Sequence, residues 1–218
     1  RRPGSLALGN DIVDLKDPFA REKGRCRRYA ARVLSSREIS WWGKKGDPAR
    51  FLWACWSVKE TAYKAFRKAV GPIPFLPRNI ETTDLTGEER GKFRGTVWTP
   101  WGNACFRLFL EEDYVHALCA PSGDAVLDRA RWHVEEMPPP GGKAMSREIA
   151  DPSREVRKAA VRILASLLGI HEKSLRILRD RENTGSPVPR LFIGERESPA
   201  DLTLSHDGRY GAFAFAMD

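Results

Sequence analysis

The sequence predicts an α+β protein made of two similar halves, residues 1–121 and 122–218. Each half is a long helix packed on a small antiparallel sheet, and the two halves form a pseudo-dimer. Three observations predict this. Two Asp-Pro pairs, Asp47-Pro48 and Asp151-Pro152, each read as an N-cap and a first-turn proline opening a helix. Short apolar and β-branched segments separated by turn residues follow each helix. Finally, the chain repeats weakly: SVKETAYKAFRKAVG resembles SREVRKAAVRILASLLG, and DYVHALCA resembles RYGAFAFA. Ser57 and Ser153 are 96 residues apart, as are Tyr114 and Tyr210. Two matching offsets argue for duplication, against a chance succession of helix and strand.

Taken in order, residues 6–15 (LALGNDIVDL) read as a strand ending in acids. Residues 18–43 are Arg-rich with apolar Tyr29, Val33, Leu34, Ile39 and Trp42, which predicts one or two short amphipathic helices. The stretch after Pro48 has no glycine or proline until Gly71, so it is a long helix, stopped by the turn carrying Pro72, Pro74 and Pro77. Strands are expected near 78–84, 93–99, 104–110 and 114–120, and another at 124–134. MPPPGGK (137–143) has loop composition. After Pro152, Val156, Ala160, Ile163, Leu164, Leu167 and Leu168 give a second helix one apolar side. Strands follow at 174–179, 189–193 and 200–216, the last broken near Asp207-Gly208.

The composition narrows the function classes. Apolar residues make up 41% of the 218, enough for a core, and no apolar run approaches the roughly 18 residues of a membrane helix. No charged segment followed by an apolar one opens the chain, so no export signal is expected. Cys26, Cys55, Cys105 and Cys119 are widely spaced, which suits reduced thiols in a cytoplasmic protein rather than a zinc site. The net charge of +8 implies an anionic partner: nucleic acid, a phosphorylated small molecule or an acidic protein. Arg outnumbers Lys by 26 to 11, from either a preference for phosphate and carboxylate or codon bias. Charge alone does not choose among these partners.

Three local patterns could carry chemistry. Gly9-Asn10-Asp11 ends an apolar strand on a carboxylate that could hold a hard cation, with glycine leaving room beside it; alone, it also reads as a strand running into a solvated turn. Glu60 and Lys64, in Ser57-Val58-Lys59-Glu60, share a helix face one turn apart. This suits a metal-bridged phosphate, but equally an ordinary i,i+4 ion pair. Ser205-His206-Asp207 cannot be a hydrolytic triad, because neighbours on a strand point to opposite faces. A hydroxyl and an imidazole with Arg190 and Arg209 nearby suit a bound phosphate better.

In combination, GNDIVDL, RVLSSRE, RFLWACWSVKETAYKAF, and GSPVPRLF with LTLSHDGRYGAFAFA resemble the 4′-phosphopantetheinyl transferases, in the motif order of the holo-acyl-carrier-protein synthase branch. The resemblance touches residues 6–75 and 185–216. The length departs from that branch, whose subunits are about half this size. It matches instead the duplicated, larger branch, with the motifs exchanged between halves.

The resemblance implies that coenzyme A binds between the halves and gives its phosphopantetheine arm to a serine of an apo acyl or peptidyl carrier protein, releasing 3′,5′-ADP. Asp11 and Glu60 match the family's magnesium ligands, with a water or Asp14 completing the shell. Glu60, directly or through a water it orients, would be the base, and Lys64 would stabilise the departing phosphate, with a smaller part for Lys59. Arg190, Ser205 and His206 match positions that hold the coenzyme's phosphates. Arg25, Arg28 and Arg32 resemble the helix that docks the carrier, although a solvated helix face would have the same composition. Such a chain would act as a monomer, without nucleic acid or membrane. The competing readings are a basic nucleic-acid-binding module, for which the chain shows no recognised motif, and an inactive relative that only binds carriers.

Overall fold

The computed structural model describes residues 6–44, 46–138, 151–179 and 188–217. It is an α+β fold with antiparallel sheets. β1 (Gly9–Asp14) is buried along its whole length and pairs with β5 (Tyr114–Ala120). β4 (Gly102–Leu110), β3 (Lys92–Thr99) and β2 (Glu81–Glu89) extend that sheet in the order β1-β5-β4-β3-β2. Across it lies α4 (Pro48–Val70), capped by Asp47, whose side chain accepts the Ala49 amide at 2.9 Å. Its buried stripe, including Val58, Ala62 and Phe66, meets Val97, Phe106, Val115 and Ala117 of the sheet. These side chains leave water on one helix face and one sheet face, which makes the first core.

The Arg-rich segment before α4 forms three short helices, α1 (Pro18–Lys23), α2 (Arg27–Val33) and α3 (Ser36–Trp41), one more than expected. Gly24 and the capped Ser35 break them. Ser35 accepts the Glu38 amide while Glu38 accepts the Ser35 amide, a reciprocal cap. The strand expected at 124–134 is instead α5 (Asp124–Arg129) followed by β6 (Arg131–Glu136). Val126 and Leu127 make that turn helical by burying together against Leu8, Leu118 and Ala214. The strand expected at 78–84 starts later, because Pro77–Asn79 is a 3-10 turn.

In the second half α6 (Pro152–Leu168) packs on two small sheets rather than one. The first has the order β10-β11-β6, from β10 (Asp201–Asp207), β11 (Tyr210–Ala216) and β6. The second has β7 (Leu175–Arg179), β8 (Pro189–Ile193) and the two-residue β9 (Arg196–Glu197). The break expected near Asp207-Gly208 is the β10–β11 turn. Of the loop expected at 137–143 and the Gly185-Ser186-Pro187 motif, most lies outside the described residues.

β1 and β10 are edge strands of different sheets and face each other at the seam between these sheets, with Leu6, Leu8, Leu118, Ala214 and Ala216 forming a shared core. The buried Lys68 ammonium of α4 crosses this seam, donating to Leu8 O at 2.7 Å, Leu202 O at 2.8 Å and Asp201 at 3.0 Å. Among the described residues no helix is long and apolar enough to cross a membrane, and all four cysteines are free thiols.

Candidate active site

Glycine 9 decides where the first acid sits. A Cβ there would lie 1.9 Å from the Thr61 carbonyl of α4, so strand and helix touch backbone to backbone only because the residue is glycine. The room beside the strand is therefore taken by the protein's own helix. This contact sets Asp11 against the next helical turns, where Glu60 and Lys64 share a face. The Lys64 ammonium donates to Asp11 Oδ1 at 2.9 Å and to Asn10 O at 3.1 Å, and stands 3.8 Å from Glu60.

Asp11 is 6% exposed, and among the described residues its second oxygen, Oδ2, is buried with no hydrogen-bond partner. Burial pushes its carboxyl upward, against the pull of Lys64. Burial also raises Glu60, and the Asp11 charge adds to the shift while Lys64 opposes it. For Lys64, burial works against the charge, but the two carboxylates outweigh it and hold the ammonium above its ordinary range. Two carboxylates against one ammonium leave a net negative, partly desolvated cluster of hard oxygens, the chemistry that suits a divalent cation such as magnesium. Among the described residues no group of three or more His, Cys, Asp or Glu side chains is placed to hold a metal. Asp11 and Glu60 would be the protein's share of the shell, as for a magnesium ion that fills its sphere with water and substrate phosphate. Asp14, the expected neighbour, is committed elsewhere: it is 1% exposed and accepts the Arg209 amide, Nε and Nη2, each at 2.9 Å.

These groups open into a cavity of about 280 Å³. Asp11, Glu60 and Lys64 line it from the first half, His206 and Asp207 from β10 of the second. Its apolar wall is Phe19, Tyr29, Trp53 and Trp56, with Trp53 fixed by its indole N–H donating to Ala20 O at 2.9 Å. That wall was not foreseen, although Trp53, Trp56, Glu60 and Lys64 lie on one stripe of α4 and the spacing alone could have shown it. Asp17, the α1 cap, and Asp207 are further members that went unforeseen.

Other expected site residues are placed elsewhere. Lys59 is fully buried on another face of α4: its ammonium meets Glu38 at 2.6 Å and donates to Val33 O and Pro77 O, both at 2.9 Å. The structure thus places it in a core ion pair, outside the residues that line the cavity. Ser205 faces away from the cavity, as strand alternation requires once His206 faces in, and is 7% exposed with its hydroxyl accepting from Asn10 at 3.0 Å. Arg190 lies on β8 in the separate small sheet, meets Glu197 at 3.2 Å and is not among the residues lining the cavity. Arg25, Arg28 and Arg32 are exposed around α2, with Arg25 3.5 Å from Asp47. Arg25 also borders a hollow of about 650 Å³ with Lys16, Arg21 and Arg50; the hollow shares Ala20 and Trp53 with the cavity.

Asp207 supplies a pH test. It accepts the Asp14 amide at 2.8 Å and its carboxyl is pushed up to about 6, mainly by burial, with Asp11, Asp17 and Asp14 adding and the amide bond opposing. The folded state therefore holds this proton more tightly than the unfolded chain. Its contribution to stability falls as pH rises from the ordinary 3.8 to about 6 and stays unfavourable above. Asp207→Asn keeps an acceptor for the Asp14 amide and removes the charge. It is expected to stabilise the fold at pH 8 by about 1 kcal/mol after discounting for partial exposure, and so to raise Tm there, with the gain vanishing toward pH 4. Thermal melts at the two pH values check this, and a gain confined to acid would contradict it.

A family model described as ACPS, 4′-phosphopantetheinyl transferase superfamily, matches residues 7–119. Among curated proteins, a holo-[acyl-carrier-protein] synthase of Aromatoleum aromaticum is 33% identical over 85 residues, covering 39% of this chain and 65% of that one. One from Salmonella arizonae is 34% identical over 96 residues, covering 43% and 68%. The chain thus spans about two thirds of the length of the relatives it matches. Among solved structures, the holo-[acyl-carrier-protein] synthase of Neisseria meningitidis matches with a TM-score of 0.39 at 26% identity, covering 52% of this chain and 95% of that one. That of Thermotoga maritima matches with a TM-score of 0.41 at 14% identity, covering 84% and 85%.

Proposed function

Since this chain belongs to the 4′-phosphopantetheinyl transferase superfamily, we propose that it moves the 4′-phosphopantetheine arm of coenzyme A to a serine of an apo acyl or peptidyl carrier protein, releasing 3′,5′-ADP. One observation carries the reading: Asp11, Glu60 and Lys64 of the first half and His206 of the second line a single cavity. A transfer between two large substrates needs a cleft where an acid, a cation and an imidazole converge on one diphosphate.

The chemistry follows from the residues. A serine hydroxyl is a poor nucleophile at neutral pH and needs a base as it attacks phosphorus. Glu60, its carboxyl raised by burial, is that base. Lys64 donates to the phosphate oxygens on which charge grows as the nucleotide leaves, and His206 binds a coenzyme phosphate from across the seam. Magnesium held by Asp11 and Glu60 would supply charge neutralisation and polarisation of the diphosphate oxygens. The aromatic wall excludes water on one side of the cavity.

Two halves, residues 1–121 and 122–218, would stand in for two subunits, letting the chain work as a monomer in the cytoplasm. The element order supports this: β1 pairs with β5 and β6 with β11, and each pair brackets a long helix. The carrier, acidic around its serine, would dock on Arg25, Arg28 and Arg32. Reversing these three to Glu is expected to lower kcat/KM for the carrier by about ten- to a hundredfold, and added salt to weaken the wild-type reaction steeply and the variant's little. Salt-independent kcat/KM in the wild type would remove the docking surface.

The reading itself is tested by incubating the chain with coenzyme A, magnesium and a panel of apo carriers, and weighing the carriers. A phosphopantetheine mass gain on one serine supports it. Carrier binding with no mass gain would make the protein an inactive relative.

A further inference from the structure

Behind the cavity lies a second set of contacts that the reaction does not use directly. Asn10 and Asp11 are neighbours on β1, and Ser205 and His206 are neighbours on β10, so in each pair the side chains leave the strand on opposite faces. Asp11 and His206 line the cavity, whereas Asn10 and Ser205 are buried at its back, bonded to each other. Asn10 Nδ2 donates to Ser205 Oγ at 3.0 Å and to Ala212 O at 3.1 Å. Its Oδ1 stands 2.6 Å from His116 Nε2. The Ala212 carbonyl can only accept, which fixes the amide orientation, and Oδ1 can only accept, so Nε2 of His116 carries the proton. His116 is fully buried, and burial pushes its pKa down to about 3, keeping it neutral. One chain of hydrogen bonds thus crosses four strands, β5, β1, β10 and β11.

This matters because β1 and β10 belong to different sheets, so no backbone ladder sets their register. Cross-seam bonds from side chains set it instead: Leu8 N to Asp201 at 2.6 Å, Asn10 to Ser205, and Asp14 N to Asp207 at 2.8 Å. The central link lies one residue from an acid on one side and one residue from the imidazole on the other.

We propose that Asn10 and Ser205 are positioning residues, a buried pin that fixes the span between the Asp11–Glu60 acids and His206. The proposal rests on reading the cavity as the transferase site. It removes Ser205 from the phosphate-binding role that its motif suggests. Ser205→Ala deletes the acceptor and leaves one Asn10 N–H unpaired, freeing the strands to slide; Ser205→Thr keeps the hydroxyl.

The test measures transfer, binding and exchange together. A displacement of about 1 Å at a reacting centre can cost about a hundredfold, so Ser205→Ala is expected to lower kcat by about ten- to a hundredfold. KM for coenzyme A and Kd for 3′,5′-ADP should weaken by no more than they do in His206→Ala, since that imidazole is the binding contact the change displaces. Ser205→Thr should restore most of kcat. His206→Ala should cost less in the Ser205→Ala background than in the wild type, because the imidazole is already misplaced. The amides of Leu8 and Asp14, which donate across the seam, should exchange faster with solvent in Ser205→Ala while the β1–β5 ladder stays protected. Weakened 3′,5′-ADP binding with kcat intact would return Ser205 to ligand binding. Additive losses with His206→Ala, or unchanged exchange at the seam amides, would sink the pin alone. A wild-type chain that transfers nothing would sink the transferase reading alone, leaving the exchange measurement to judge the pin.

Discussion

Asp11→Ala and Glu60→Ala are each expected to abolish pantetheine transfer, by about a thousandfold or more, while leaving the protein folded. An interaction that neutralises a reacting diphosphate is worth several kcal/mol, and each 1.36 kcal/mol is about tenfold in rate. The fold gains little from these charges: burial raises both carboxyls above their ordinary values, and among the described residues Asp11 Oδ2 has no hydrogen-bond partner. Because the folded state holds these protons more tightly than the unfolded chain, what the two acids contribute to stability falls as pH rises through the window above their ordinary values. Either substitution still leaves Lys64 partners, Asp11 at 2.9 Å in one case, and Asn10 O at 3.1 Å with Glu60 at 3.8 Å in the other. Tm should therefore change by a few degrees at most, and a rise is as acceptable as a fall. Magnesium should raise the wild-type Tm and fail to raise that of either variant. Mass spectrometry of an apo carrier under single-turnover conditions reads the activity, and turnover retained in either variant would remove the metal site. The acid limb of the rate profile should report Glu60, which must lose its proton to act as base, and Glu60→Gln should flatten what activity remains.

Much of this site was legible because its chemistry sits in short local patterns. Glu60 and Lys64 declare their shared face by one helical turn, and Asp11 is announced by the glycine two residues before it. What the glycine admits, the backbone of Thr61, could not be read locally, because strand and helix are about fifty residues apart in sequence. The same limit explains the reassignments. Alternation says that only one of Ser205 and His206 can face a cleft, but which one depends on how β10 lies against β1, a register set across 195 residues by Asn10. Asp14 looked like a spare acid beside Asp11 until the β10–β11 turn brought Arg209 onto it. Residues 124–134 looked extended because β-strand and short-helix patterns cannot be told apart in a few apolar residues, and burial of Val126 and Leu127 against Leu8, Leu118 and Ala214 decided for helix.

Lys59 carries the largest expected effect on stability, and it lies next to Glu60 in sequence. Its ammonium has three donors and three partners: Glu38 at 2.6 Å, Val33 O and Pro77 O at 2.9 Å. Glu38 is equally satisfied, accepting the Ser35 amide at 2.9 Å and the Thr82 amide at 3.1 Å, and neither side chain is more than 1% exposed. The pair thus ties α3, α4, the turn at Pro77 and the start of β2 together where no water can replace a lost partner. Removing one ion from such a pair strands the other, at a cost of about 3–5 kcal/mol. Lys59→Met is expected to lose that much in urea unfolding, a large share of the stability of an ordinary domain, about 5–15 kcal/mol. Lys59→Met combined with Glu38→Gln should lose less than the sum of the two single changes, because the second removes the charge the first had stranded. Activity lost in Lys59→Met should return on cooling, in proportion to the folded fraction, with KM for coenzyme A unchanged. A variant that unfolds at the wild-type midpoint yet binds coenzyme A poorly would put the Lys59 ammonium back on the substrate and overturn its place in the core.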